Sequence, residues 1–366
     1  MKTHIREKLK RVHDLYPPER LEKSKARYRA MWHGQKPADR YPFVFTPVGF
    51  CYYNDVFSKE DALDAYLDEF IRRGFIWDDF IPAFFPGCKQ STIPSMFGAP
   101  EFRINNEFAN EKILYKPEDI DNLPDPAIRP GTSAYEWLEM QKYFLHECEG
   151  EIPVHVCDMQ GPVDVCGQLF GYDNLFLCAY EDEERFNKLM KAAADGFCLL
   201  WNAQKELLGD LFVGTHLFGW SWVPENSGAS MSVDSMVMMS GDFFDKHIKH
   251  HVRDLADKYQ GLAVHSCGNF GAVVGKLSEI ENVAAVNASQ MSVGQLLEYH
   301  WNPRKMMILM ESTNHAEAVF DQAREHNLFV DVSFTDFWQD ITDEKQRAQM
   351  TARADEIIRH SALVAF

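Results

Sequence analysis

Short apolar runs alternate with longer amphipathic stretches along most of this chain. The apolar runs predict eight strands, at 43–46, 80–85, 153–157, 211–217, 262–267, 283–287, 306–310 and 328–333. The stretches between and after them predict helices at 58–73, 133–146, 182–208, 240–259, 271–280, 293–299, 315–326 and 343–360. Connections of this length exclude hairpins and favour a parallel sheet with right-handed crossovers.

Eight strand–helix units in a chain of 366 residues predict a single α/β domain, a (β/α)8 TIM barrel. A doubly wound open sheet is the alternative, but no glycine-rich dinucleotide fingerprint follows the first strand. The charged, strand-poor residues 1–40 predict an N-terminal helical extension, and residues 41–366 predict the barrel. Two segments exceed the length of a connection: 98–115 predicts a hairpin, and 220–239 predicts a long loop beside the substrate.

Composition and charge narrow the class of protein. A formal charge of −18 excludes a nucleic-acid partner, because binding to a phosphate backbone needs a basic surface. The chain has no run of 18 apolar residues, so no membrane span is predicted. The charged N-terminus lacks a signal-peptide core, and we therefore expect a cytoplasmic protein. Eight scattered cysteines with no Cys-x-x-Cys pair are typical of reduced thiols. The expected partner is a small-molecule substrate.

The sequence His-Ser-Cys-Gly-Asn at 265–269 holds the strongest chemical signal, at the end of the fifth predicted strand. Residues two apart on a strand point to the same face, so His265 and Cys267 project together. An imidazole beside a thiol supplies two ligands of a zinc site. The same pair also suits a metal-free polar pocket, and the sequence leaves both interpretations open.

Other polar residues follow the predicted strands or lie in the long loop. Barrel active sites lie at the carboxyl ends of the strands, so these residues are candidates for substrate binding. They are Asp158, Gln160, His216, Trp220, Asp234, Asn269 and Asn287.

Several motifs in order resemble the uroporphyrinogen decarboxylase superfamily, whose members are (β/α)8 barrels. The resemblance rests on residues 31–42, 78–82, 96–99, 160–171, Ser-Gly-Asp-Phe-Phe at 240–244, and 265–269, and it covers about residues 25 to 335. True decarboxylases carry an arginine-rich segment after the first strand, which holds the substrate carboxylates. The matching residues 46–55 contain no arginine, so the chain is closer to the corrinoid-dependent, methylcobalamin methyltransferase branch.

The resemblance implies a zinc ion held by His265, Cys267 and a later third ligand. In the coenzyme M methyltransferases that ligand is a cysteine, and this chain has no cysteine after Cys267. Glu311, at the end of the seventh predicted strand, is the expected substitute, and Cys157 is a less favoured one. Three protein ligands leave one position open for catalysis.

The expected function is therefore that of a corrinoid-dependent methyltransferase, an enzyme assisted by zinc. It would move a methyl group between a small methylated substrate, or a thiol or pterin acceptor, and a cobalamin on a separate carrier protein. The family contains homodimers, and the resemblance admits that assembly here.

Two alternatives stay open. A decarboxylase or other lyase, acting on a tetrapyrrole or a smaller carboxylic acid, would use Asp79 and His315 as catalytic residues; the register between Asp78 and Asp79 is open. A barrel that binds a tetrapyrrole or corrinoid without turning it over is the second.

Overall fold

A parallel sheet forms the centre of the fold. The computed structural model describes residues 2–46, 58–104, 107–214, 222–338 and 343–363. Its strands are β1 (Phe43–Phe45), β2 (Glu101–Ile104), β3 (Glu107–Asn110), β4 (Val154–His155), β5 (Phe212–Val213), β6 (Ala229–Ser232), β7 (Leu262–Ser266), β8 (Val283–Ala288), β9 (Met306–Glu311) and β10 (Phe329–Phe334). Six of them form one parallel sheet in the order β1-β10-β9-β8-β7-β6, β4 and β5 form a second parallel pair, and β2 and β3 form an antiparallel hairpin.

Helices cover the sheet, which is typical of α/β proteins with buried parallel strands. They are α1 (Thr3–Leu15), α2 (Pro18–Trp32), α3 (Lys59–Arg73), α4 (Thr92–Met96), α5 (Ser133–Glu147), α6 (Pro162–Phe170), α7 (Tyr172–Glu181), α8 (Glu183–Leu208), α9 (Gly241–Phe243), α10 (Lys249–Tyr259), α11 (Gly271–Ser278), α12 (Val293–Glu298), α13 (Ala316–Glu325) and α14 (Glu344–His360). Side chains of β1, β7, β8, β9 and β10 share one large apolar core with α6, α8, α11 and α13.

Backbone contacts extend beyond the two parallel sheets. The amide of Asp79 donates to the carbonyl of Phe43 in β1 at 2.9 Å. Phe84 forms an isolated parallel bridge with Val154 of β4. On the other side, Gln160 forms a parallel bridge with Ser232 of β6. Strand-like contacts therefore lead from β1 through the segment at 79–84 to β4, and from the chain after β4 to β6.

The predicted mixed α/β class and parallel sheet are confirmed, as is the hairpin at 98–115. The predicted strand at 80–85 is reduced to the bridge at Phe84, because that segment lies against the ends of β1 and β4 without a full ladder. Strand β6 lies inside the segment predicted as a long loop. All four of its residues, Ala-Ser-Met-Ser, are buried although two of them are serines, so burial does not follow the hydrophobic pattern there.

The N-terminal helices pack on the main body through apolar faces. Ile5, Leu9 and Val12 of α1 contact the cluster formed by α3 and the chain near Phe80. Tyr28 of α2 packs against Trp222, with ring centroids 6.2 Å apart. Among the described residues, no helix combines the length and apolar character needed to cross a lipid bilayer.

Histidines on the outer side of the sheet make stability depend on pH. Burial, then the charge of Lys246, lowers the pKa of His247, whose two ring nitrogens are buried and make no hydrogen bond within the described residues. Burial, then His250, lowers the pKa of His251 to about 4. Both groups are neutral bases in the folded protein, so the unfolded chain binds more protons below its own pKa of about 6.5.

We therefore expect the free energy of unfolding to fall as pH decreases from about 6.5 to about 4, with His251 contributing about 1–3 kcal/mol. The measurement is urea unfolding of wild type and His251→Gln at several pH values. The difference in the free energy of unfolding between wild type and His251→Gln should shrink as pH falls from about 6.5 to about 4. A difference that is constant with pH would contradict the assignment.

Candidate metal-binding site

Three neighbouring strands bring the candidate side chains together. In the parallel register, His265 of β7 is the Cα partner of Ser232 on β6 and of Asn287 on β8. Partners in adjacent parallel strands point to the same face, so these three side chains lie side by side. Beyond the end of β7, Cys267 projects on the same side as His265, as its position two residues later predicts.

Asp234 completes this group. Asp234 is the first residue of a short 3-10 helix (Asp234–Met238) just after β6. The Oδ1 atom of Asp234 accepts a hydrogen bond from the amide of Cys267 at 2.8 Å and lies 3.6 Å from Nε2 of His265. The same Nε2 atom is 3.3 Å from Sγ of Cys267. Nitrogen, sulfur and oxygen donors therefore face one another, and all three lie within 4.8 Å.

Asn287 fixes the tautomer of His265. The Nδ2 atom of Asn287 donates to the carbonyl of Ile308 at 3.0 Å, which turns its Oδ1 atom toward the imidazole. That oxygen lies 2.5 Å from Nδ1 of His265 and can only accept, so Nδ1 carries the proton. Nε2 then presents its lone pair toward Cys267 and Asp234. Both His265 and Asn287 are fully buried, so this orientation is rigid.

Asp164 holds the backbone that carries Asp234. Oδ2 of Asp164 accepts from the amide of Asp234 at 2.7 Å, and Oδ1 accepts from the amide of Ser235 at 3.1 Å. Burial, more than the nearby Asp234 charge, raises the pKa of Asp164 to about 7. Close packing supports the contact, since a Cβ at Gly161, just before α6, would lie 2.7 Å from Val233.

The environment of the Cys267 thiol is negative. Burial raises its pKa to about 11, and the charges of Asp234 and Asp158 act in the same direction. The Ser289 hydroxyl lies 3.9 Å from Sγ, as a weak donor. Carboxylates placed in this way keep the thiol protonated unless a cation binds beside it.

A second polar cluster surrounds Asp158, which is buried after β4. Its carboxylate accepts hydrogen bonds from Ser232 Oγ at 2.9 Å, Cys88 Sγ at 3.0 Å and Gln160 Nε2 at 3.1 Å. Because Asp158 also acts on Cys267, this cluster borders the group formed by Asp234, His265 and Cys267.

Glu311 is not part of this group. It ends β9, two strands away from β7, and its Oε2 atom lies 3.2 Å from Nδ1 of His315. The acidic side chain beside His265 and Cys267 is Asp234, which the sequence indicated only as a substrate contact. His315 is exposed, and its side chain pairs with that of Glu311, four residues before it. Cys157 is fully buried among apolar side chains.

Asp79 has structural partners. It is fully buried, and its carboxylate accepts from Ser24 Oγ at 3.0 Å, Arg27 Nη1 at 2.6 Å, the amide of Phe43 at 3.1 Å and the guanidinium of Arg40. These contacts tie α2 to β1.

The remaining candidates that the structure describes make structural contacts. Asp78 accepts from Arg73 at 2.8 Å and from the amide of Phe45 at 2.9 Å, again as a structural anchor. Asn269 is exposed, and its Oδ1 atom accepts from the amide of Gly271 at the start of α11. His216 and Trp220 lie outside the described residues.

Sequence reasoning missed three contributors to the site. Asp164 stands in the segment 160–171 that carries the resemblance but was given no role there, and Ser289 and Cys88 stand in a turn and a loop without a distinctive pattern. One signal was present for Asp234: Ser232 and Asp234 are spaced two apart, as His265 and Cys267 are, which is typical of a strand end. That signal was hidden because β6 has no apolar run.

Comparisons with known proteins give a likeness of fold. No family model matches the chain, and no curated protein matches it in sequence. Among solved structures, a methyltransferase from Methanosarcina mazei matches with a TM-score of 0.63 and 15% sequence identity. The match covers 91% of this chain and 98% of that one. At this identity the likeness establishes the fold, which extends over nearly the whole of both chains.

Proposed function

We propose that this protein is a zinc-assisted methyltransferase. It would move a methyl group between a small methylated compound, or a thiol or pterin acceptor, and a cobalamin on a separate carrier protein. The observation that carries the proposal is the group of three donors formed by Asp234, His265 and Cys267. The solved structure with a similar fold is a methyltransferase, which agrees with this assignment.

The donor set fits zinc in both chemistry and spacing. Zinc binds thiolate sulfur at about 2.3 Å, and imidazole nitrogen or carboxylate oxygen at about 2.0–2.2 Å. In a tetrahedral site these bond lengths separate neighbouring donors by about 3.4–3.6 Å. The Nε2 atom of His265 lies 3.3 Å from Cys267 Sγ and 3.6 Å from Asp234 Oδ1. The three side chains therefore need little movement to accept the ion.

Zinc, when bound, would convert the Cys267 thiol to a thiolate and act as a Lewis acid at its open fourth position. The residues of this chain supply the setting for that chemistry. Asn287 holds His265 as the tautomer with a free Nε2 lone pair. Asp164 holds the turn that presents Asp234. In the transfer itself, the heteroatom keeps the electron pair of its bond to the methyl carbon and then takes a proton, while cob(I)alamin supplies the pair for the new bond.

We also infer that the parallel strands close into a barrel with this site at its rim. The bridges from β1 through Phe84 to β4, and from Gln160 to β6, support closure. A closed barrel would face the ends of β4, β6, β7 and β8 toward one opening. The docking carrier protein would then meet the site from that side.

The test is zinc content together with methyl transfer. Protein purified with zinc present should hold the metal at about one ion at this site. It should methylate cob(I)alamin from a panel of methylated amines, methylated thiols and phenyl methyl ethers, or demethylate methylcobalamin in the presence of a thiol acceptor. Cobalamin absorbance reports the transfer. Protein that lacks stoichiometric zinc and shows no transfer would overturn the proposal.

Asn287 provides a test of the tautomer. We expect Asn287→Leu to lower zinc affinity about 10- to 100-fold, because the second nitrogen of a zinc-bound histidine is normally held by a partner. Asn287→Asp, which keeps an acceptor at the same place, should retain most of the affinity. Competition with a chromogenic chelator measures both. Equal loss in the two variants would show that Asn287 acts only through packing.

A further inference from the structure

A pair of histidines on the outer helices forms a second site for a metal ion. We propose that His250 and His251 of α10, with the side-chain oxygen of Asn187 on α8, bind a late first-row divalent ion such as Zn²⁺, Ni²⁺ or Cu²⁺. These residues lie on helices that cover the sheet, separate from the group at Asp234. The inference does not depend on the proposed function.

The geometry of the three donor atoms carries the proposal. Both imidazoles direct Nε2 toward the same atom, Oδ1 of Asn187, at 3.3 Å from His250 and 2.9 Å from His251. Adjacent helical residues normally diverge, yet these two rings lie with centroids 4.0 Å apart. Two nitrogens and one oxygen therefore converge on one small volume.

The separations match those of ligands on one ion. Bonds of about 2.0–2.2 Å to nitrogen and oxygen separate adjacent donors by about 2.9 Å at a right angle and about 3.4 Å in a tetrahedron. The observed N–O distances of 2.9 and 3.3 Å lie within this interval. On binding, each imidazole would pass its proton from Nε2 to Nδ1 through solvent and stay neutral, and the ion would replace the two N–H···O hydrogen bonds.

The surroundings offer room and a further donor. His250, His251 and Asn187 line an open cavity of about 450 Å³, which Asp195, Asp254 and Cys198 also line. Lys191 and Lys258 stand at the same cavity, and Lys191 pairs with Asp195 at 2.6 Å. Asp254 stands one turn after His250 on α10 and lines the same cavity. Solvent can fill the remaining positions.

Histidine nitrogen selects the class of ion. Imidazole suits zinc, copper and nickel, whereas magnesium and calcium prefer oxygen ligands. The pKa of His251 is lowered to about 4 by burial and by His250, so the imidazole is already neutral at pH 7. Neutral histidine is the form that binds metal.

The experiment is a Zn²⁺ titration of the full chain by calorimetry, in a Cys267→Ser background that removes the sulfur ligand of the other site. Imidazole ¹⁵N spectra recorded alongside identify the ligand atoms. We expect Zn²⁺ to shift the Nε2 signals of His250 and His251. His250→Gln/His251→Gln should weaken this binding at least about tenfold, while His146→Ala/His326→Ala, at two exposed histidines elsewhere, should leave it unchanged.

Asn187→Asp is the variant that separates a metal site from a structural contact. It places a carboxylate where the amide oxygen stands, and it should raise Zn²⁺ affinity about tenfold or more. Unchanged or weaker binding in Asn187→Asp would overturn the role of this oxygen. Equal Zn²⁺ isotherms in the Cys267→Ser protein with and without His250→Gln/His251→Gln, or unmoved Nε2 signals, would overturn the site. Neither result bears on the group at Asp234.

Discussion

Replacing Asp234 by asparagine is expected to abolish stoichiometric zinc binding and methyl transfer together. The carboxylate oxygen lies 3.6 Å from Nε2 of His265 and accepts from the amide of Cys267. Asparagine keeps the size and one acceptor oxygen, so the turn should persist, but it removes the negative charge that favours a dication. The loss of affinity should exceed the about 10- to 100-fold that is typical of removing an outer partner.

Glu311→Gln is the matched control, because it makes the same chemical change at the residue that the sequence favoured. Glu311 pairs with His315 and stands two strands away from β7. Zinc content, measured by elemental analysis after dialysis, and transfer to cob(I)alamin should both stay near wild type in this variant. If Asp234→Asn kept its zinc and Glu311→Gln lost it, Glu311 rather than Asp234 would be the acidic ligand.

The second large effect concerns stability. Asp79→Asn is expected to destabilise the protein by about 3–5 kcal/mol, because it leaves the buried guanidinium of Arg40 without its carboxylate and removes one of the two carboxylates that pair with Arg27. Urea unfolding followed by circular dichroism measures the change. A catalytic Asp79 would behave differently: its substitution would remove activity and leave the midpoint of unfolding unchanged.

Asp39→Asn controls for the charge change on the same arginine. Asp39 also pairs with Arg27, but its side chain is 54% exposed. An exposed ion pair contributes about 0–1 kcal/mol, so this variant should unfold close to wild type. Equal destabilisation in the two variants would mean that burial of Asp79 is not the source of its effect.

Periodicity predicted the part of the fold where burial follows hydrophobicity. The strands at β7, β8, β9 and β10 are apolar and almost wholly buried, and their predicted positions differ from the observed ones by at most one residue at each end. Strand β6 could not be found this way, because two of its four residues are serines and it has no apolar run, although Ala229 and Met231 join the apolar core. The segment at 80–85 is apolar and buried, yet a full ladder does not form beside it.

The candidate site, like the fold, was predicted only in part from the sequence. His265 and Cys267 could be placed together, since a strand fixes the spacing of its own side chains. Their third partner depends on which strand lies beside β7, and this pairing is a long-range property. The sequence interpretation passed over β6 and so placed Asp234 in a loop. Asp79 was misleading for a related reason: a carboxylate near a strand end has the same sequence signal whether substrate or buried arginines surround it.

X-ray absorption at the zinc edge tests the central claim most directly. To leave only the site at Cys267, the zinc-loaded protein carries His250→Gln/His251→Gln. We predict that it shows one sulfur neighbour at about 2.3 Å and nitrogen or oxygen neighbours at about 2.0–2.2 Å, and that the sulfur disappears when Cys267→Ser is added. Cys157→Ser, at the alternative cysteine, should leave the spectrum unchanged. Zinc bound without any sulfur neighbour in the wild-type protein would contradict a site built from Asp234, His265 and Cys267.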